Sequence, residues 1–255
     1  MMGMLALKVI LTPLLIGLAS LAGRRWGPVV SGWLVGLPLT SAPIALFLAL
    51  EQGTLFASRV AQGTLAGLIS QAAFCLVYAW LSFRVGWLGC WFAGWSMFGV
   101  TTFLLEPVAV PVLLAFAGVV SVLMVALLLW PRWQGQVFET KAPAWEIIGR
   151  MVIATSFIVG LTSVASLLGP RLSGLFSPLP IFATIFAIFT HRLQGATAAR
   201  QVLHGVLVSS FACACFFLVV AGLLVQWGVS VAFGVAVVVA LATQGSALWL
   251  VRKFT

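Results

Sequence analysis

Groups able to do acid–base or metal chemistry are scarce in this sequence. There are four Glu (Glu51, Glu106, Glu139 and Glu146), two His (His191 and His204), four Cys and no Asp. Hydrolytic, phosphotransfer and metal chemistry draws on paired carboxylates or on clusters of His, Cys and acid. No Gly-x-Ser-x-Gly, His-Glu-x-x-His or Cys-x-x-Cys string occurs. The expectation is a protein that is not an enzyme, with neither metal nor cofactor. Cys75, Cys90, Cys213 and Cys215 lie in apolar runs, and Cys213 and Cys215, two apart, point to different faces of a helix. Buried reduced thiols follow.

What remains is backbone chemistry at two Leu-Pro steps. Pro38 lies ten residues beyond Pro28, and Pro180 ten beyond Pro170, which puts each step about 15 Å along a helix, near the middle of a bilayer. Proline there removes a hydrogen bond and clashes with the preceding turn, and Pro43 and Pro178 add a second defect to each segment. Carbonyls and amides freed at that depth need partners. Thr40 and Ser41 beside the first step, and Ser177 and Thr184 around the second, supply polar contacts. Gln71, the amide placed at mid-membrane, must face the interior, where it contacts a substrate or ties two helices together. The candidate substrate site is therefore Leu37, Pro38, Thr40, Ser41, Gln71, Ser177, Pro178, Pro180 and Thr184. The competing reading is a pair of kinked packing helices brought close by Gly32 and Gly36. Two residues are candidates for proton coupling: Glu106, in Leu-Leu-Glu-Pro, and His204, whose repeat mate is Gln62. Their plainer readings are an interfacial turn residue and a solvated helix-end histidine. Trp87, Trp91 and Trp95 share one face of a helix, as a lipid-facing stripe or a stacking surface.

The elements that must position these groups are membrane spans. Of 255 residues, 63% are hydrophobic and 7% charged, and the mean hydropathy is +1.21; a soluble domain is excluded. The net charge of +9 comes from cations dispersed between apolar runs, which is a topology signal and not a nucleic-acid footprint. Cutting the chain at charges, Gly and Pro gives nine spans: about 5–23, 28–50, 60–82, 86–105, 108–130, 147–168, 172–190, 201–224 and 228–250. Alternate loops then place ten cations on one side: Arg24, Arg25, Arg84, Arg132, Lys141, Arg150, Arg192, Arg200, Arg252 and Lys253. Lys8, Arg59 and Arg171 fall on the other. By the positive-inside rule the N-terminus is outside and the C-terminus cytoplasmic, in a bacterial inner membrane. Lys8 and the apolar run after it mimic a signal peptide, but the segment has an internal counterpart and is expected to be retained.

That counterpart belongs to a duplication. Seven of fourteen positions agree between 9–22 and 152–165, and fourteen of thirty-nine between 27–65 and 169–207. The string Gly-Pro-x-x-Ser-Gly-x-x-x-x-Leu-Pro occurs at 27–38 and again at 169–180. Each unit holds four helices, and the unpaired fifth span turns the second copy upside down. The expected fold is an all-α integral membrane protein of nine transmembrane helices in an inverted 4+1+4 repeat. Repeat 1 covers 1–105, the inverting helix and connector 106–146, and repeat 2 147–255.

The second half, above all GLFSPLPIFATIFAIFTH at 174–191, resembles the short four-helix GlpM-like membrane proteins. The resemblance covers about one repeat unit, implies two such units fused through span five, and links the chain by family name to polysaccharide production. Inverted repeats with paired Pro-broken helices point to a secondary transporter or lipid-type flippase working by alternating access. The rival is a non-transporting scaffold for an export or polysaccharide-synthesis complex. Expected partners are the lipid bilayer, a small or amphipathic substrate and a membrane protein partner, with no nucleic acid.

Overall fold

The computed structural model describes residues 41–108, 110–131 and 145–254, with residues 10, 13, 14, 17, 21 and 38. Outside the described residues lie the rest of spans one and two before Ser41, including Leu37, Thr40, Gly32 and Gly36, and the connector 132–144. All regular structure among the described residues is helical. It comprises α1 (Ser41–Gln52), α2 (Thr54–Leu81), α3 (Trp87–Leu105), α4 (Val112–Leu128), α5 (Trp145–Phe176), α6 (Ile181–Gln194) and α7 (Ala196–Phe254).

Among the described residues, four stretches are long and apolar enough to cross a membrane: Thr54–Leu81, Trp87–Leu105, Ile147–Phe176 and Ala196–Ser246. The chain is a multi-pass membrane protein. Large apolar side chains face outward where lipid would meet them, among them Phe103, Leu113, Leu128 and, 87% exposed, Leu167. Among the described residues there are seven helices where nine spans were expected: most of span one lies outside the described residues, α7 runs through spans eight and nine, and α5 runs on from span six into span seven, which α6 completes. The backbone turns out of the helix at Gly169 in α5 (φ 76°, ψ 169°) and at Gly228 in α7 (φ 75°, ψ 176°), a region open in practice only to glycine. The apolar part of α7, 51 residues, would measure about 77 Å as one rod, more than twice the roughly 30 Å hydrocarbon core. The fifth expected span shortens to α4, since Glu106 and Pro107 form a turn and the helix restarts only after Pro111.

Helix ends recur at a constant separation. α1 stops at Gln52 and α6 at Gln194, each followed by a glycine of the same conformation, Gly53 at φ 90° and Gly195 at φ 89°. α2 then starts at Thr54 and α7 at Ala196. The turns bond alike: Ala42 N–H donates to the Pro38 carbonyl and Thr184 N–H to that of Pro180, both at 2.8 Å. Ala57 and Ala199 N–H donate to Gly53 and Gly195 at 3.2 and 3.3 Å.

Helix α2 is the central element, packing on α7, α5, α3, α1 and α4. Against the first stretch of α7 it runs antiparallel. Ser58, near its start, donates to the carbonyl of Ala221 at 2.9 Å, while Phe83, just past its end, covers Arg200. Against the tail of α5, glycine permits backbone contact. A Cβ on Gly63 would lie 2.7 Å from the Arg171 carbonyl and 3.0 Å from Gly174 Cα, and one on Gly174 would collide with the Val60 carbonyl. Some other buried hydroxyls are answered within their own helix, as Thr64 by Val60 and Thr162 by Ile158.

Gly63→Ala and Gly174→Ala are expected to cost about 1–3 kcal/mol each through overpacking. Gly99→Ala, where a Cβ meets open space, should be neutral or stabilising by up to about 1 kcal/mol. Unfolding the purified variants in mixed micelles with dodecyl sulfate measures the difference; equal midpoints for all three would refute the contact.

Candidate functional site

The break between α5 and α6 is built by two prolines. Pro178 and Pro180 carry no N–H, so the helical ladder cannot continue through them, and the chain closes short turns instead. Ser177 N–H donates to Gly174 and Leu179 N–H to Phe176, both at 3.0 Å, and Ile181 N–H reaches Leu179 at 2.7 Å. Helix α6 restarts at Ile181. On the other side, Pro38 sits in a bend and α1 starts at Ser41. The two breaks touch: the Ser41 hydroxyl donates to the Ser177 carbonyl at 3.1 Å in a buried contact. Ser177 is itself fully buried, and its own hydroxyl has no hydrogen-bond partner.

Helix α2 backs this junction. A Cβ on Gly67 would lie 2.6 Å from Pro178 Cγ and 2.7 Å from the Leu175 carbonyl, so the proline ring is seated on bare backbone. From α3, the Trp95 indole N–H donates to the Thr184 hydroxyl at 3.1 Å, and one helical face further on Thr102 bonds Ser70 of α2 at 3.0 Å. Ser41, Ser177, Pro178, Pro180 and Thr184 are all buried. The assembled groups are hydroxyls, one indole and freed backbone, with no charge among them. Such a set can exchange neutral hydrogen bonds and pack apolar surface; it offers no acid, base or nucleophile activated by one.

The remaining candidates are not drawn into the junction. Gln71 lies one turn beyond Gly67 on α2, half-buried, and no hydrogen bond joins it to Ser41, Ser177 or Thr184. Gln244 in α7, 1% exposed, is the more deeply buried amide. Glu106 caps the end of α3 in an exposed turn, about 16 Å along the helix from Trp95. Beside it Arg171 donates to the carbonyls of Leu105 and Val108, at 3.0 Å to the first. His204 is half-buried on α7 with its ring 5.6 Å from that of Trp130. Glu106 thus lies away from the α5–α6 break, and the ring of His204 meets that of Trp130.

Sequence reasoning missed Trp95 as part of this site and missed Gly63 and Gly67 as its floor. The glycines carried a usable signal, four apart like Gly32 and Gly36. For Trp95 the signal was the four-residue tryptophan spacing, read as a lipid-facing stripe or a stacking surface, and a helix apolar all round does not announce which of its faces turns inward.

A double-mutant cycle with Trp95→Phe and Thr184→Val should give a coupling of about 0.6 kcal/mol, the usual worth of one interhelical hydrogen bond in a membrane. The same cycle with Trp91→Phe should give none. Equal couplings in the two cycles would refute the bond.

Compared with protein-family models, curated proteins and solved structures, the chain matches none of them.

Proposed function

We propose that the protein is a secondary transporter or lipid-type flippase of the inner membrane, exchanging access to a midplane site between its two proline-broken segments. The observation that carries this reading is the Ser41 hydroxyl on the Ser177 carbonyl, 3.1 Å apart and buried. It joins the two breaks that a substrate would have to part. The buried, unanswered hydroxyl of Ser177 adds a group that a substrate or water would satisfy.

The architecture in this proposal is an inverted repeat of nine crossings, with α5 and α7 each contributing two segments, separated at Gly169 and Gly228. Three facts support it. Equivalent helix ends lie 142 residues apart, at Gln52 and Gln194 and at Thr54 and Ala196. Helix α2 packs antiparallel on its equivalent, the first stretch of α7, as a copy turned upside down requires. The crossing glycines recur in both halves, Gly63 with Gly205 and Gly174 with Gly32. In this proposal the GlpM-like proteins are relatives of a single unit, and the C-terminus and the 131–146 connector lie in the cytoplasm. Single cysteines placed after Thr255 and at Gln136 should both be labelled by an impermeant maleimide only from the cytoplasmic side; labelling from opposite sides would refute the inverted arrangement.

Transport itself is tested without knowing the substrate. With Cys75, Cys90, Cys213 and Cys215 replaced, Ser177→Cys and Thr184→Cys should be labelled by an impermeant maleimide from either side of oriented vesicles, as alternating access exposes them in turn. Pro38→Ala or Pro180→Ala restores one backbone hydrogen bond, worth about 1 kcal/mol, and should slow labelling from one side roughly fivefold. A thiol at Ser177 reachable from neither side, with a phenotype indifferent to Pro38→Ala, would favour the scaffold.

A further inference from the structure

At the end of the molecule where α2 passes to α3 and α6 to α7, two connections are held together by cations on rings. The Arg192 guanidinium lies 5.2 Å from the centre of the Trp87 ring, and that of Arg200 3.5 Å from the centre of Phe83. Arg84 sits in the same α2–α3 connection and is exposed. Arg200 is of another kind: it is only 2% exposed. Its Nε donates to the Ala196 carbonyl at 3.3 Å and one Nη to the Thr197 hydroxyl at 3.1 Å. The other Nη is buried with no partner.

A buried guanidinium needs an acceptor of opposite charge. Neither acid with a described side chain is near. Glu51 closes α1 at the opposite end of α2, and Glu106 closes α3 at the end away from Trp87. Topology does not account for the residue either, because the positive-inside effect acts through cations in loops, and this one is enclosed by helix packing. The guanidinium folds back on the first turn of α7, whose opening N–H groups have no helical carbonyl to bond and favour anions. Its flat fork matches the oxygens of a phosphate. Phe83 is the roof of this enclosure, and it is half exposed in a turn that no helix restrains, so it is the element free to move aside.

We propose that Arg200, roofed by Phe83 at the first turn of α7, is a phosphate-binding site, taking the phosphate of a lipid headgroup or of a soluble phosphate compound when Phe83 swings away. The site is separate from the proline junction and stands whether or not the protein transports.

The test uses the full chain in maltoside detergent, which carries no phosphate, and follows thermal unfolding by tryptophan fluorescence. The probes are dioctanoyl phosphatidylglycerol and inorganic phosphate, each against chloride at the same ionic strength. At about a hundredfold excess over Kd, the melting midpoint should rise by roughly 5 to 10 °C. A rise with phosphatidylglycerol alone identifies the source as a lipid headgroup; a rise with inorganic phosphate as well identifies a soluble phosphate. Arg200→Gln should abolish the rise and Arg59→Gln, at the other end of α2, should keep it. Phe83→Ala should lower the concentration giving half the rise severalfold, and it decides the matter if Arg200→Gln does not fold. No rise with either probe, a rise that survives Arg200→Gln, or an unchanged concentration dependence in Phe83→Ala overturns the proposal. So does tighter binding in Glu139→Gln/Glu146→Gln, which would make a carboxylate of this chain the natural partner of Arg200.

Discussion

The centre of this molecule depends on two backbones meeting at Gly63 and Gly174. Between apolar helices in lipid there is no hydrophobic force to draw them together, since lipid tails are as apolar as leucine, and association rests on close van der Waals packing and interhelical hydrogen bonds. Glycine lets α2 and the tail of α5 approach until a Cβ on either would strike a carbonyl of the other. That approach sets the next turn as well, because Gly67 then receives the Pro178 ring and fixes where the α5–α6 break lies. The Ser177 carbonyl, released from the helical ladder by the prolines after it, is thereby held where the Ser41 hydroxyl reaches it. One steric permission thus precedes the two polar features of the junction.

The prolines contribute the opposite property. A transmembrane helix satisfies its own backbone, and every interruption leaves groups that hydrocarbon cannot serve. Here the interruption is tolerated because protein surrounds it: short turns take up the amides of Ser177, Leu179 and Ile181, and the Ser41 hydroxyl of α1 meets the Ser177 carbonyl. Such a junction is costly to form and inexpensive to rearrange, since its bonds are single hydrogen bonds between neutral groups. Close packing at the glycines beside an interrupted ladder at the prolines is the combination that the proposed moving site would require.

Much of this was legible in the sequence, for particular reasons. The Leu-Pro steps, with Ser41, Ser177 and Thr184 beside them, stood out because proline and hydroxyls are rare events in an apolar chain, and rarity makes position informative. Span ends were legible only in part: Gly53 and Gly195 fall in gaps between expected spans, yet α2 and α7 begin at Thr54 and Ala196 and not near 60 and 201. Facing was not legible. Trp95 belongs to a stripe that fits lipid as well as protein, and only the packing of α3 on α6 turns it to Thr184. Depth of burial was not legible either. Arg200 looks like one more loop cation, as Arg84 and Arg192 do, yet it is enclosed by helix packing with Phe83, far away in sequence, over its guanidinium. Glu106 and His204 drew notice for what they could do chemically, yet ionisable character does not place a residue, and Glu106 lies in an exposed turn at the end of α3.

In the proposed repeat, Arg200 breaks the likeness of the two halves in an instructive way. Its counterpart in the first half is Ser58, and the two sit at opposite ends of the antiparallel pair formed by α2 and the first stretch of α7. At one end a serine hydroxyl bonds the Ala221 carbonyl at 2.9 Å; at the other a guanidinium lies under a phenyl ring. A perfectly repeated frame would close equally well at both ends and favour neither. Under the proposed alternating access, a buried cation with an unanswered N–H in place of a neutral hydrogen bond would make one closure depend on the ionic surroundings and leave the other indifferent to them. In the proposed repeat, that single substitution is enough to make the two states unequal in energy, and an anion bound at one end would shift the balance by its difference in affinity for the open and closed forms.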